Sequence, residues 1–247
     1  MNTLHDASPA PLPFDHLVVM MRDQLEDQAV LLEKDGYRLT DLSVHNLGSM
    51  NRLITLDTTY IELLGWPKGQ EPRRKEIAQQ PLGLDALVFR MDNAQNVHDR
   101  LAGLGYQVNP VQALERELDV DGKTHTARFA TLRFSEQPLP GLRLYFCQHL
   151  TPEWVWNTAV MHHPNGVCAL HELEIEAPDA GQVATTLAHL ISARAEQRPS
   201  GWLINLPNLR LNIINKPTLH APRIAHATLR QQNDEIILFN PRLPVTE

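Results

Sequence analysis

The sequence predicts an α+β fold of repeated βαβββ modules, two of them paired and a third followed by a terminal β-hairpin. Three observations predict it. FDHLVVMMRD (Phe14–Asp23) lies without a gap over LDALVFRMDN (Leu84–Asn93) and LHELEIEAPD (Leu170–Asp179). Each copy runs into a stretch with apolar residues at helical spacing: Leu25, Ala29 and Leu32, then Ala94, Val97, Leu101 and Leu104, then Val183, Leu187 and Leu190. The ends of the repeats also match, RLITLDTTYIELLGWPK (Arg52–Lys68) over WLINLPNLRLNIINKPT (Trp202–Thr218), and LRLYFCQHLTP (Leu142–Pro152) joins them when Pro67, Pro152 and Pro217 are aligned.

Each element follows from this pattern. The first strands end in Asp23, Asn93 and Asp179, residue types that cap a helix N-terminus with a side-chain oxygen. The helices that follow run for about three turns. The first two stop at Gly36-Tyr37 and Gly105-Tyr106, where glycine takes the left-handed conformation that ends a helix. In the second module DVDGKTHTARFATLRF reads as a hairpin turning at Asp121-Gly122. PRIAHATLRQQNDEIILFNP reads as a last hairpin turning near Asn233-Asp234. A βαβββ module covers one sheet face with its helix and leaves the other open, so pairing of modules is expected. Strand alternation puts Leu17, Val19, Met21, Ile61 and Leu63 toward the helix, and His16, Val18, Met20, Tyr60, Glu62 and Leu64 on the open face.

Composition bounds the function. The 247 residues are 43% hydrophobic, enough for a sizeable core, and carry a net charge of -7, which argues against a nucleic-acid partner. Cys147 and Cys168 are too few for a disulfide framework, so a reducing compartment is expected. The start MNTLHDASPAPLPF lacks the basic and apolar regions of a signal peptide, and no stretch reaches the length of a membrane span. A cytoplasmic protein with no membrane partner is the resulting expectation.

DHLVV at the first strand, GSMNRLITL and YIELLGWP closing the first module, and YFCQHLTPEWVW with HHPNG after the second resemble the vicinal oxygen chelate superfamily, in its glyoxalase-like branch. The resemblance covers residues 13 to 170 well and the rest through the repeat. It implies that the first two modules pair into a cup-shaped mixed sheet, with the cup in residues 1–152 and the third module plus hairpin in 153–247. It further implies a divalent metal (Zn, Mn, Fe or Ni), with His16 and Glu62 matching the ligands contributed by the first and last strands of a module. At the same places the second module has Ala86 and Cys147, and the third has Glu172 and Asn212. His149, two residues beyond Cys147 on the same strand face, is the candidate third ligand, giving two histidines and one carboxylate with open positions. Asn51, Tyr60, Arg116, Arg128 and Tyr145 are the candidate substrate contacts, the arginines because they suit a carboxylate or carbonyl.

Two functions remain open on these residues: a metal-dependent lyase, isomerase or dioxygenase acting on a small oxygen-chelating substrate, and a metal-free small-molecule binding or resistance protein using the same cup. By the same resemblance, a proton-abstracting base is missing from the expected positions of the second module, which hold Ala86 and Cys147. The open face of the third module would be covered by the terminal hairpin or by another subunit, which allows a homodimer. His226 falls where a fourth module would begin. Trp154 and Trp156 lie where they could cap the cup or pack between the halves.

Overall fold

The structure is a computed structural model and describes residues 10–45, 48–72, 75–120 and 122–243. The first module comprises β1 (Phe14–Arg22), α1 (Leu25–Lys34), β2 (Ser43–Val44), β3 (Met50–Thr55) and β4 (Tyr60–Gly65). A short helix α2 (Lys75–Ala78) leads to the second module, β5 (Gly83–Arg90), α3 (Ala94–Gly103), β6 (Gln112–Val120), β7 (Lys123–Arg133) and β8 (Arg143–His149). The third has β9 (Val167–Ala177), α4 (Ala180–Leu190), β10 (Ala195–Arg198), β11 (Gly201–Asn205) and β12 (Arg210–Asn215), followed by the hairpin β13 (Arg223–Gln231) and β14 (Ile236–Leu238). The expected α+β repeat is therefore present.

β1 to β8 form one mixed sheet in the order β2-β3-β4-β1-β5-β8-β7-β6. The two modules meet where β1 and β5 run antiparallel, while β1 pairs with β4, and β5 with β8, in parallel. The sheet curls until its edges approach, and Arg116 on β6 donates to the Ser43 hydroxyl on β2 at 3.2 Å. This is the expected cup. β9 to β14 form a second sheet in the order β10-β11-β12-β9-β13-β14.

Alternation sorts the layers as expected. Leu17, Val19, Met21, Ile61 and Leu63 belong to a hydrophobic cluster that also includes Leu173, Ile175 and Leu187 of the third module, so the helix-side core is continuous through the chain. Val18, Met20, Tyr60 and Leu64 belong to a second cluster inside the cup, with Ala86, Val88, Phe129, Tyr145 and Cys147. Burial of such side chains stabilises by about 1.5–3 kcal/mol each.

One irregularity repeats with the modules. The β1–β5 pairing passes from Phe14↔Phe89 to His16↔Val88, leaving Asp15 as the extra residue of a β-bulge, and from Val18↔Ala86 to Val19↔Leu84, leaving Asp85 as another. The β9–β13 pairing skips His171 and Ala225 in the same way. In each first strand, then, the residue before the position of His16 is bulged, which turns two successive side chains to one side. The pairing of His226 with Glu174, equivalent to that of Ala86 with Val18, makes β13 the opening strand of a fourth, unfinished module.

Two helices start as expected: the Asn93 side chain accepts from Asn96 N–H and that of Asp179 from Gln182 N–H, both at 2.9 Å. Asp23 does not cap α1. Arg22 takes a left-handed φ of 54°, and the resulting turn moves the N-cap one residue on to Gln24, which makes no side-chain cap bond. Gly36 and Gly105 end α1 and α3 with φ of 82° and 88°. The last hairpin turns at Asp234, with φ 65°, and Asp121 of the earlier one lies outside the described residues. The last hairpin extends the second sheet from β9 and so leaves the face of Glu172 and Glu174 uncovered.

Candidate functional site

The interior of the cup holds a small cavity of about 50 Å³ lined by His16, Asn51, Tyr60, Glu62, Arg116 and Tyr145, among others. His16 comes from β1 and Glu62 from β4. The parallel register places Val18 beside Glu62, two residues along from His16 on the same face. His16 Nε2 stands 3.6 Å from Glu62 Oε2 and 3.0 Å from the Tyr145 hydroxyl. His16 Nδ1 bonds to Asp15 Oδ2 at 2.8 Å, a contact the bulge makes between neighbours in sequence. The Tyr60 ring stacks on the imidazole at 4.3 Å and fixes its plane.

Glu62 is held from its other side, since Asn51 Nδ2 donates to Glu62 Oε1 at 2.6 Å. That bond orients the amide and leaves Asn51 Oδ1 buried without a partner. Behind His16, Asp15 is fully buried and accepts from Arg90 Nε at 2.8 Å, and His149 Nε2 lies 2.9 Å from each of its carboxylate oxygens. Asp15, Cys147 and His149 bring one potential ligand atom each within 4.8 Å of one another.

Electrostatics follow from this packing. Burial would lift the Asp15 carboxyl, but hydrogen bonds to His149 and His16 hold it well below the ordinary carboxylate range. Burial lifts Glu62 too, but its bond to His16, the nearby His16 and His45 charges and the bond from Asn51 together outweigh it and hold the carboxyl down. Burial pulls His16 down, and the two carboxylates outweigh it, so its pKa lies above the ordinary histidine value. Burial pushes the Cys147 thiol and the Tyr145 hydroxyl up, so neither ionises near neutral pH. Cys147 is therefore a neutral wall group, as is Ala86 opposite Val18.

His16, Glu62, Asn51, Tyr60, Arg116 and Tyr145 are thus gathered at one cavity, as the sequence suggests. His149 is turned toward Asp15, beneath the aromatic rings of Trp156 at 4.8 Å and Phe129 at 5.1 Å. Arg128 lies on the outer surface, where it pairs with Glu115 at 3.3 Å. Trp156 closes the cup beside Tyr60 and His149, under the Arg90 guanidinium at 4.4 Å, and Trp154 stacks on His125 at 3.9 Å. Sequence reasoning missed Asp15, His45 and Arg143. Arg143 was accessible to it, being two residues before Tyr145 on one strand face; Asp15 was hidden because only a bulge turns it beside His16.

A divalent ion fits the chemistry of the His16–Glu62 pair. With Asp15 holding Nδ1, the Nε2 lone pair of a neutral His16 faces the cavity, an arrangement that raises ligand basicity. Two ligand atoms each roughly 2.1 Å from a tetrahedral ion stand roughly 3.4 Å apart, near the 3.6 Å separation found here. The second module adds no carboxylate to this pair, because Cys147 stands where Glu62 does in the first.

Comparison with known proteins places this architecture. The chain matches the model of the glyoxalase-like domain over residues 14–191. Among solved structures, a hypothetical protein from Staphylococcus aureus superposes with a TM-score of 0.73 at 13% identity, covering 93% of this chain and 99% of its own. A xylose isomerase-like TIM barrel/4-hydroxyphenylpyruvate dioxygenase fusion protein superposes with a TM-score of 0.55 at 14% identity, covering 91% of this chain and 38% of its own. At these identities the likeness is one of fold. No curated protein sequence matches the chain. No helix among the described residues is long and apolar enough to cross a membrane. With the paired modules, the cup and the match over residues 14–191 together, the chain belongs to the glyoxalase-like family of the vicinal oxygen chelate superfamily.

Proposed function

We propose that the protein is a divalent-metal-dependent enzyme, of lyase, isomerase or dioxygenase type, acting on a small substrate that chelates through neighbouring oxygens. The observation that supports this is His16, braced by Asp15 and aimed at Glu62 inside the cup. His16 and Glu62 would hold the ion, which when bound would polarise substrate oxygens and stabilise negative charge developing on them. The chain's own residues orient and donate. Tyr145, kept protonated by burial, is a hydrogen-bond donor beside that pair, and Asn51 Oδ1 is a free acceptor for a substrate hydroxyl. Tyr60 and Trp156 exclude water from the side of His149.

The thin ligand set favours a second reading, a metal-free binding protein in which His16 is an imidazolium between two carboxylates. One experiment separates the two. Metal content is measured for the protein as purified and after incubation with Zn, Mn, Fe and Ni, beside the double variant His16→Ala, Glu62→Ala. Near-stoichiometric metal that disappears in the variant supports the enzyme. No metal in either protein after loading leaves the binding cup.

A further inference from the structure

Arg116 is the feature the proposed chemistry does not use. It lies on β6 with only 5% of its surface exposed and lines the cavity. Nη1 donates to Ser43 Oγ, and among the described residues no carboxylate stands within ion-pair distance of it. Glu62, the carboxylate of the cavity, is already engaged by His16 and Asn51. Arg143, by contrast, is neutralised by its contact with Asp85.

A buried guanidinium without a counter-ion is costly, and removal of its partner from such a pair typically destabilises by several kcal/mol. Burial lowers the Arg116 pKa without removing its charge. The neutral, buried Ser43 hydroxyl does not supply the missing negative charge. Among the described residues the rest of the guanidinium makes no hydrogen bond, and its planar donors match a carboxylate in bidentate fashion. Around it Leu53, Leu64, Leu114 and Phe129 make the cavity wall apolar. Arg116 also lines an outer hollow of about 260 Å³ beside Ser43 and Trp154, so it stands where the two spaces adjoin.

We propose that Arg116 is the anion anchor of the cup and that the ligand is a small carboxylate with an apolar body. Its carboxylate pairs with Arg116, its body lies against Leu53, Leu64 and Phe129, and a hydroxyl or carbonyl end reaches Asn51 and the His16–Glu62 pair. This deepens the reading of the cavity as the substrate site and rests on it, but it does not require a metal.

The test uses benzoate as probe, benzamide as its neutral isostere and inorganic phosphate as a competing anion class, with the full chain dialysed against EDTA. Calorimetry and thermal melting are run on the wild type, Arg116→Met, Arg116→Lys and His16→Ala. Benzoate is expected to bind the wild type and raise its Tm, with benzamide and phosphate weaker by about tenfold or more. Arg116→Met should lose that preference, Arg116→Lys should keep part of it, and His16→Ala should keep most.

The ligand-free Tm separates an anchor from a strut. An anchor waiting for its counter-ion predicts that Arg116→Met melts at or above the wild-type temperature. A marked fall, or failure to fold, would assign Arg116 to holding β2 against β6 and overturn the proposal. So would equal binding of benzoate and benzamide, or a preference for phosphate. Arg116-dependent benzoate binding in a protein that takes up no metal would uphold the anchor while removing the enzyme. Metal uptake without benzoate binding would do the reverse.

Discussion

The first and third modules share a backbone plan and differ in what their open faces meet. In the first, His16 and Glu62 are 3% and 8% exposed, because the second module folds over them to complete the cup. In the third, the corresponding Glu172 carboxylate is partly open to solvent and pairs with Arg210 at 3.2 Å, and the face is bordered by half a module. Equivalent positions thus carry buried, mutually facing groups in one place and partly exposed ones in the other. Closure by a partner module, more than the identity of the strand, creates the site.

The comparison can be broken at its scaffold, its polar pair and its titration. The largest effect is expected in the shared core: Leu17→Ala and Leu173→Ala, both at fully buried positions, should each lose about 2–5 kcal/mol in urea unfolding. A large loss in one module only would mean that the two scaffolds are not equivalent. Next comes the polar layer. Asp15→Asn replaces the carboxylate shared by His149, His16 and Arg90 with a neutral amide and should cost about 3 kcal/mol. Glu174→Gln, facing water in the third module, should stay within about 0.5 kcal/mol.

The smallest effect is expected with pH, in metal-free protein. Asp15 and Glu62 have folded pKa values below their ordinary ones, so their stabilisation is present above the carboxylate range and is lost as pH falls through it toward the folded values. His16 is raised, so its contribution is full below 6.5 and is lost as pH rises through the folded value. Melting temperature should therefore decline on both sides of a neutral-to-mildly-acidic maximum. In Asp15→Asn the acid-side slope should flatten, and an unchanged slope would mean that Asp15 is not the group responsible.

Most of the fold was legible because it repeats: a strand with one alternating face, a helix and a matched closing strand fix a module whenever they recur at fixed offsets. The faces of Leu17, Val19 and Ile61 against His16 and Glu62 followed from period-two alternation alone. The polar network behind His16 was not legible, because alternation assigns Asp15 to the opposite face and only the bulge reverses it. Arg128 was misplaced for the complementary reason: its strand neighbours Ala127 and Phe129 face the cup, so it faces out. The cap on α1 moved because Arg22 turns left-handed, which residue type does not announce.

The bulge before His16 also makes the two halves of the cup answerable to each other. By turning Asp15 and His16 to one side, it lets one carboxylate hold a histidine of β1 and a histidine of β8 together. The first module is thereby tied to its neighbour through a single carboxylate. Deleting Asp15 would restore simple alternation, carrying the chain before it to the opposite face and cutting the tie to His149, so the length of this strand is under as much constraint as its composition.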